Sequence, residues 1–253
     1  MKKTIIGIVG KHIKDNKIRT DTLIRDEVKQ AIFDNGAIAI GILSPNEEIL
    51  YTGDNWKLTE EKMDKEKIIS QIDLCDGIVL QGGITSEVYE SFIAKYCYEN
   101  NIPCLGICAG QNNIVRALGG TTYEIPNPEK HDKLNEKYVH SVHIDKTSKF
   151  YNIVEKEDIM VNSRHKRTID KCPLLDKVGF CEDGYADIVE SKEKDFYIGV
   201  RFHPESLYKF DDNMNKIFKK FIEACKNIKV SSYCNRWSRF CKLYSNRCRS
   251  SSI

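Results

Sequence analysis

Along the first half of the chain, short apolar runs rich in β-branched residues alternate with segments whose apolar positions recur at helical spacing. Thr4–Gly10 predicts a buried strand. Thr20 or Asp21 is placed to cap a helix running to about Asp34, with Gly36 as its C-terminal stop. Ala37–Leu43 predicts a second buried strand, ended by Ser44-Pro45-Asn46. Thr59-Glu60-Glu61 opens a helix with acids in its first turn, which suit the positive end of the helix dipole, and this helix extends to about Leu74. Gly77–Leu80 predicts a third strand leading into Gln81-Gly82-Gly83. Ser86–Glu99 then predicts an amphipathic helix, Pro103–Cys108 a fourth strand, and Ala109–Leu118 a helix closed by Gly119-Gly120. Such alternation implies parallel strands joined by right-handed helical crossovers.

The second half changes character. Tyr138–Asp145, Asp158–Val161, Leu175–Cys181, Ala186–Ser191 and Phe196–His203 predict shorter strands, some of them antiparallel. Asp211–Lys226 predicts a last amphipathic helix with Met214, Ile217, Phe218, Phe221, Ile222 and Cys225 on one stripe. The expected fold class is α/β, an open and mostly parallel central sheet flanked by helices, with antiparallel strands added in the second half. Residues 1–229 are expected to form one domain. Residues 230–253, rich in Ser, Arg, Cys and aromatics, read as a poorly ordered tail.

Composition narrows the class. At 253 residues, 41% hydrophobic and 30% charged, the chain suits a protein with a sizeable core. Its longest apolar run, Ala37–Leu43, is far shorter than the roughly 20 residues a membrane helix needs. The start resembles a signal peptide, but Lys11-His12 follows the apolar stretch at once and no small-residue cleavage site appears. A cytoplasmic protein is expected. The net charge of +2 conceals five basic residues in the tail, while residues 1–229 hold 34 basic against 37 acidic residues. A slightly acidic body offers no broad basic face for nucleic acid.

Ten cysteines do not imply a disulfide framework in a chain of this size. Cys104 and Cys108 in one extended strand would lie about 13 Å apart, beyond disulfide reach. No C-x-x-C pair exists, so no structural zinc site is expected and most cysteines read as small buried hydrophobes.

The chemistry concentrates in Gly106-Ile107-Cys108-Ala109-Gly110. A strand runs into Gly-x-Cys-x-Gly and a helix follows, which is the layout of a nucleophile elbow with cysteine as the nucleophile. Ligands of open α/β sheets bind beyond the carboxyl ends of the strands, where Cys108 falls. The helix N-terminus favours the thiolate there. His203 is the best-placed proton acceptor, because strand alternation puts Gly199, Arg201, His203 and Glu205 on one face and Pro204 ends the strand. Glu205 is then placed to accept the second imidazole N–H. Oxyanion donors are available from the backbone of Ala109 and from the Gly82-Gly83 turn.

Together these residues resemble the class I glutamine amidotransferase family over about Lys3–Lys226. The resemblance rests on Leu80–Gly83, on Gly106–Gly110 with Ala117-Leu118-Gly119-Gly120-Thr121, and on Phe202-His203-Pro204-Glu205. Val161-Asn162-Ser163-Arg164-His165 is similar to the γ-glutamyl-γ-aminobutyrate hydrolase-like (peptidase C26) branch. The resemblance implies a flavodoxin-like sheet, with Cys108 as nucleophile, His203 as base and Glu205 as its orienting acid. It implies an oxyanion hole from Gly83 and Ala109, substrate contacts from Gly82, Asn112 and His165, and no metal or organic cofactor. The implied reaction is hydrolysis of a γ-glutamyl amide through a γ-glutamyl thioester. The chain departs from the family at Gln81, where Pro precedes the glycines, and at Asn112, where Gln is usual. It departs again at Arg167 and Arg201, where Gln is common, and in its short loop after Gly83.

Expected partners are a small γ-glutamyl substrate, with neither nucleic acid nor membrane; a homo-oligomer stays open. The alternatives are a glutaminase subunit delivering ammonia to a separate synthetase, a DJ-1/PfpI-like protein suggested by Ile107-Cys108-Ala109-Gly110, and a catalytically silent binding module. Gly7–Lys11 lacks the spacing of a phosphate loop. His140 and His143 fall on opposite strand faces and read as structural, and His12 reads as a surface residue.

Overall fold

The computed structural model describes residues 3–15, 19–45, 63–83 and 87–227. Five buried or half-buried runs supply a parallel array: β1 (Ile5–Val9), β4 (Ile38–Ile42), β5 (Gly77–Leu80), β6 (Cys104–Ile107) and β13 (Tyr197–Val200). They lie in the order β4-β1-β5-β6-β13, and every neighbouring pair is parallel. Four antiparallel strands extend the sheet beyond β13 in the order β12 (Ala186–Glu190), β11 (Asp176–Cys181), β8 (His140–Ile144) and β9 (Asp158–Val161). The α/β class and the antiparallel addition are therefore as expected, within one nine-stranded sheet.

Helices cover both faces. α1 (Asp26–Asp34), the short α5 (Tyr151–Val154) and the last helix, α6 (212–227), pack on one side, where Ile6, Ile8, Val79, Leu105, Ile198 and Val200 meet Met214, Phe218 and Phe221. The predicted stripe of α6 is fully enclosed, and each such apolar side chain contributes about 1.5–3 kcal/mol. α2 (Lys65–Ile72), α3 (Val88–Glu99) and α4 (Ala109–Ala117) cover the other side through Ile68, Ile93, Ile114 and Val115. Among the described residues no helix is long and apolar enough to cross a membrane.

Several boundaries differ from expectation. Thr20 and Asp21 cap no helix: they lie in β3 (Arg19–Leu23), which pairs with β2 (Lys11–Asp15) in a hairpin inserted after β1. The helix starts only at Asp26, where Asp26 and Glu27 occupy the first turn. β4 is not buried throughout, because it ends the sheet and leaves Ile38 partly open while Ile42 is enclosed. α3 is not amphipathic over its first turns: Val88 to Ala94 are all buried, its acids included. Asp64 caps α2 by accepting from the Lys67 backbone N–H at 3.1 Å. The expected start at Thr59-Glu60-Glu61 lies outside the described residues, as does the tail 230–253. Two short strands were not foreseen, β7 (Thr122–Glu124) and β10 (Arg167–Ile169), which pair with each other.

The central result for the site is adjacency. β5, β6 and β13 are neighbours, so the segments that follow them, Gln81–Gly83, Cys108 and His203, emerge side by side at the carboxyl edge.

Candidate active site

Cys108 joins β6 to α4 with φ 52° and ψ −104°. Such a backbone is rare for an L-residue and costs on the order of 1–3 kcal/mol. The flanking glycines permit it. A Cβ on Gly110 would collide with the Leu80 carbonyl, and one on Gly106 would stand 2.8 Å from the Gly110 carbonyl. The Cys108 N–H donates to the Val200 carbonyl at 2.8 Å, tying the turn to β13. The Gln111 N–H closes the first turn of α4 on the Cys108 carbonyl at 3.1 Å, and the helix presents the positive end of its dipole at Cys108.

His203 lies three residues after β13 ends, and the turn Pro204–Ser206 follows. This turn, rather than continued strand alternation, sets Glu205 beside the ring. The His203 Nδ1–H donates to Glu205 Oε1 at 2.7 Å. Nε2 is then the nitrogen left for Cys108, with which the ring is hydrogen-bonded. Asn162 grips the backbone on both sides: its amide donates to the His203 carbonyl at 2.9 Å and accepts from the His203 N–H at 2.7 Å. A Cβ on Gly82 would fall 2.8 Å from His203 Cε1 and 3.4 Å from Cys108 Cβ, so only glycine lets the backbone approach both.

Charge completes the arrangement. Burial opposes ionisation of Cys108, but the His203 charge, its hydrogen bond and the Arg201 guanidinium outweigh burial and hold the thiol below its ordinary value. Burial also opposes the His203 imidazolium, yet Glu205 and Cys108 lift its pKa to about 10. The lowered thiol and the raised imidazole together favour the thiolate–imidazolium form of the pair. A nucleophile, a proton donor and a helix N-terminus therefore meet among buried side chains, which is what acyl transfer from an amide requires.

The remaining predicted residues divide. Ala109 opens α4 directly after Cys108. Gly83 lies against the aliphatic stem of Lys11. Asn112 is already engaged: its Oδ1 accepts from Arg201 Nη1 at 2.7 Å. His165 is buried, donates Nδ1–H to the Arg167 carbonyl at 3.1 Å, and holds Nε2 4.0 Å from Asp187 Oδ1. Burial, then the charge of Arg201, press its pKa down to about 2, so it stays neutral. Arg167 is engaged by the Thr122 carbonyl at 2.9 Å and Glu124 at 3.1 Å.

Sequence reasoning missed three contributors. Arg201 is fully buried near Cys108, and strand alternation had already placed it on the face of His203. Asn162 stood in a noted motif without a role. Lys11 is buried and pairs with Glu90 at 2.6 Å beneath Gly83. His12 is not a surface residue: its Nδ1 meets Glu87 Oε2 at 2.6 Å. Gln81, a departure from the proline usual in the family, binds the carbonyls of Val9 and Leu23, each at 2.9 Å, and accepts from the Arg25 N–H. It anchors the inserted hairpin, a task proline lacks the groups to perform.

Residues 83–205 match the family model described as Peptidase C26. The chain is 31% identical over 194 residues to the CTP synthase of Chlamydia abortus, an alignment covering 64% of this chain and 36% of that protein. The chain thus spans little more than a third of the length of that curated relative. Its fold is similar to that of a Thermoplasma acidophilum protein assigned to GMP synthase (TM-score 0.62, 18% identity, 91% of this chain and 98% of the other). It is also similar to the glutaminase domain of the Trypanosoma brucei CTP synthase (TM-score 0.61, 17% identity, 89% and 94% covered).

Proposed function

We propose that the chain, whose residues 83–205 match the Peptidase C26 model, is a hydrolase of carbon–nitrogen bonds of the class I glutamine amidotransferase-like family that cleaves γ-glutamyl amides with Cys108 as nucleophile. The observation that carries this reading is the unbroken hydrogen-bonded series from Glu205 through His203 to Cys108 at the start of α4.

In the proposed reaction the Cys108 sulfur attacks the γ-carbonyl carbon. Backbone N–H groups of Gly83 and Ala109 receive the developing oxyanion. As the C–N bond breaks, the His203 imidazolium gives its Nε2 proton to the departing amine, leaving a γ-glutamyl thioester and a neutral ring. Neutral His203 then takes a proton from water while the water oxygen attacks the thioester. The C–S bond breaks, glutamate leaves, and the thiolate and imidazolium are restored. Glu205 keeps the ring in the tautomer that points Nε2 at the sulfur, and Asn162 fixes the main chain from which the ring hangs. Gly82 and His165 line the approach of the glutamyl group. No metal or organic cofactor enters this scheme.

The test is chemical capture. The protein is incubated with glutamine and a panel of γ-glutamyl amines, quenched in acid and digested for mass spectrometry. A γ-glutamyl adduct on the Cys108 peptide, with matching amine release, is the expected result. Release without any adduct on that peptide would overturn it.

A second reading is favoured by the alignment with a CTP synthase. Here the same site supplies ammonia from glutamine to a separate synthetase. Ammonia release from glutamine alone that accelerates when a co-purified synthetase is added supports this version. Preference for a larger γ-glutamyl amine over glutamine supports the stand-alone hydrolase.

A further inference from the structure

Away from Cys108, three residues distant in sequence converge in the antiparallel half of the sheet. His131 follows the turn Pro128–Lys130, His140 opens β8 and Cys181 ends β11. Cys181 pairs with Val142, so His140, two residues earlier on β8, shares its sheet face and is its diagonal neighbour. One ring nitrogen from each histidine and the Cys181 sulfur lie within 4.8 Å of one another. The His131 and His140 rings are 5.2 Å apart between centroids.

The hydrogen bonding of the two rings is unusual. His131 Nε2 meets Asp183 Oδ2 at 3.2 Å and His140 Nε2 meets Asp187 Oδ2 at 2.6 Å. A carboxylate on Nε2 places the proton there and leaves the lone pair on Nδ1. Both Nδ1 atoms are nonetheless buried with no hydrogen-bond partner among the described residues. Two unpartnered lone pairs beside a thiol are costly in a folded interior unless something electropositive sits between them. A carboxylate on the far nitrogen is also the arrangement that orients a metal-bound imidazole and raises its basicity.

We propose that His131, His140 and Cys181 form a binding site for a divalent transition-metal ion of the zinc class, with Asp183 and Asp187 orienting the two imidazoles and water as the fourth ligand. Two imidazoles and one thiolate favour Zn2+ or Co2+ over Mg2+ and Ca2+, which take oxygen ligands. With bonds of about 2.0–2.3 Å to nitrogen and sulfur, tetrahedral ligands stand roughly 3.3–3.7 Å apart. Side-chain rotations of about an ångström close the observed triangle to that size. Metal binding replaces the Cys181 thiol proton. The absence of any C-x-x-C pair is no obstacle, because the sheet register, not sequence spacing, assembles the ligands.

The test uses the full chain stripped with a chelator and titrated with Co2+. One equivalent is expected to produce the near-ultraviolet thiolate-to-cobalt charge-transfer band together with visible bands of tetrahedral intensity. Cys181→Ser is expected to lose the charge-transfer band, and His140→Gln to bind at least tenfold more weakly. Cys108→Ser is expected to keep both features. In the unsubstituted protein, Zn2+ is expected to protect Cys181 from alkylation and leave Cys172 reactive, a readout that survives any variant failing to fold. Absence of the band, its persistence in Cys181→Ser, its loss in Cys108→Ser, or unprotected Cys181 would each overturn the proposal.

Discussion

The two halves of the sheet handle polar groups in opposite ways. In the parallel half, the reactive features at the carboxyl edge are made largely by backbone: a strained turn at Cys108, glycines at 82, 106 and 110 that admit close approach, and the first turn of α4. In the antiparallel half, the polar features are side chains enclosed within the fold: Asn162, His165, His140 and Asp187. The parallel half thus generates reactivity locally, while the antiparallel half holds the reactive groups in register from a distance. His203 belongs to both, since it leaves a parallel strand and is clamped by Asn162 just beyond β9.

The largest effect is expected where the backbone geometry and the chemistry coincide. Cys108→Ala should lower turnover of a γ-glutamyl amide by roughly 10^4-fold or more while circular dichroism stays unchanged. Retained turnover would remove the parallel half's role. Asn162→Ala tests the other half: it leaves every reacting group in place but frees the His203 main chain, and a fall in kcat of roughly 10^2-fold with little change in KM is expected. A change confined to KM would mean that Asn162 serves the substrate instead.

Legibility divides along the same line. The parallel strands and the turn at Cys108 were readable because local sequence encodes them: β-branched runs, Gly-x-Cys-x-Gly and Pro204 each act on their own neighbours. The hairpin at β2 and β3 was misread as a helix start because Thr20 and Asp21 are also good caps, and pairing with Lys11–Asp15 decided the matter. The enclosed polar groups were harder still. Asn162 meets His203 across 41 residues and Arg201 meets Asn112 across 89, separations at which no spacing rule operates. Alternation did place Arg201 on the correct face; burial, which made it matter, is a property of the whole sheet.

Smaller effects sharpen the contrast. Arg201→Gln removes one of the charges that favour the Cys108 thiolate, so the midpoint of Cys108 alkylation should move to higher pH, read by peptide mass spectrometry. No movement would assign Arg201 to Asn112 alone. Outside both networks, the exposed His143–Asp158 pair on β8 and β9 should contribute almost nothing. His143→Ala is expected to change unfolding free energy by no more than about 0.5 kcal/mol in denaturant titration.

The claim that Cys108 is held as a thiolate by His203 is tested most directly by its alkylation rate against pH, with Cys172 of the same chain as internal reference. The thiolate forms as pH rises through the lowered Cys108 pKa, and the imidazolium that sustains it is lost only as pH passes about 10. Burial moves the half-buried Cys172 in the opposite direction, to a pKa above its ordinary value. The predicted result is a Cys108 midpoint below that of a free thiol, about 8.5, and well below that of Cys172. A Cys108 midpoint equal to or above that of Cys172 would contradict the account.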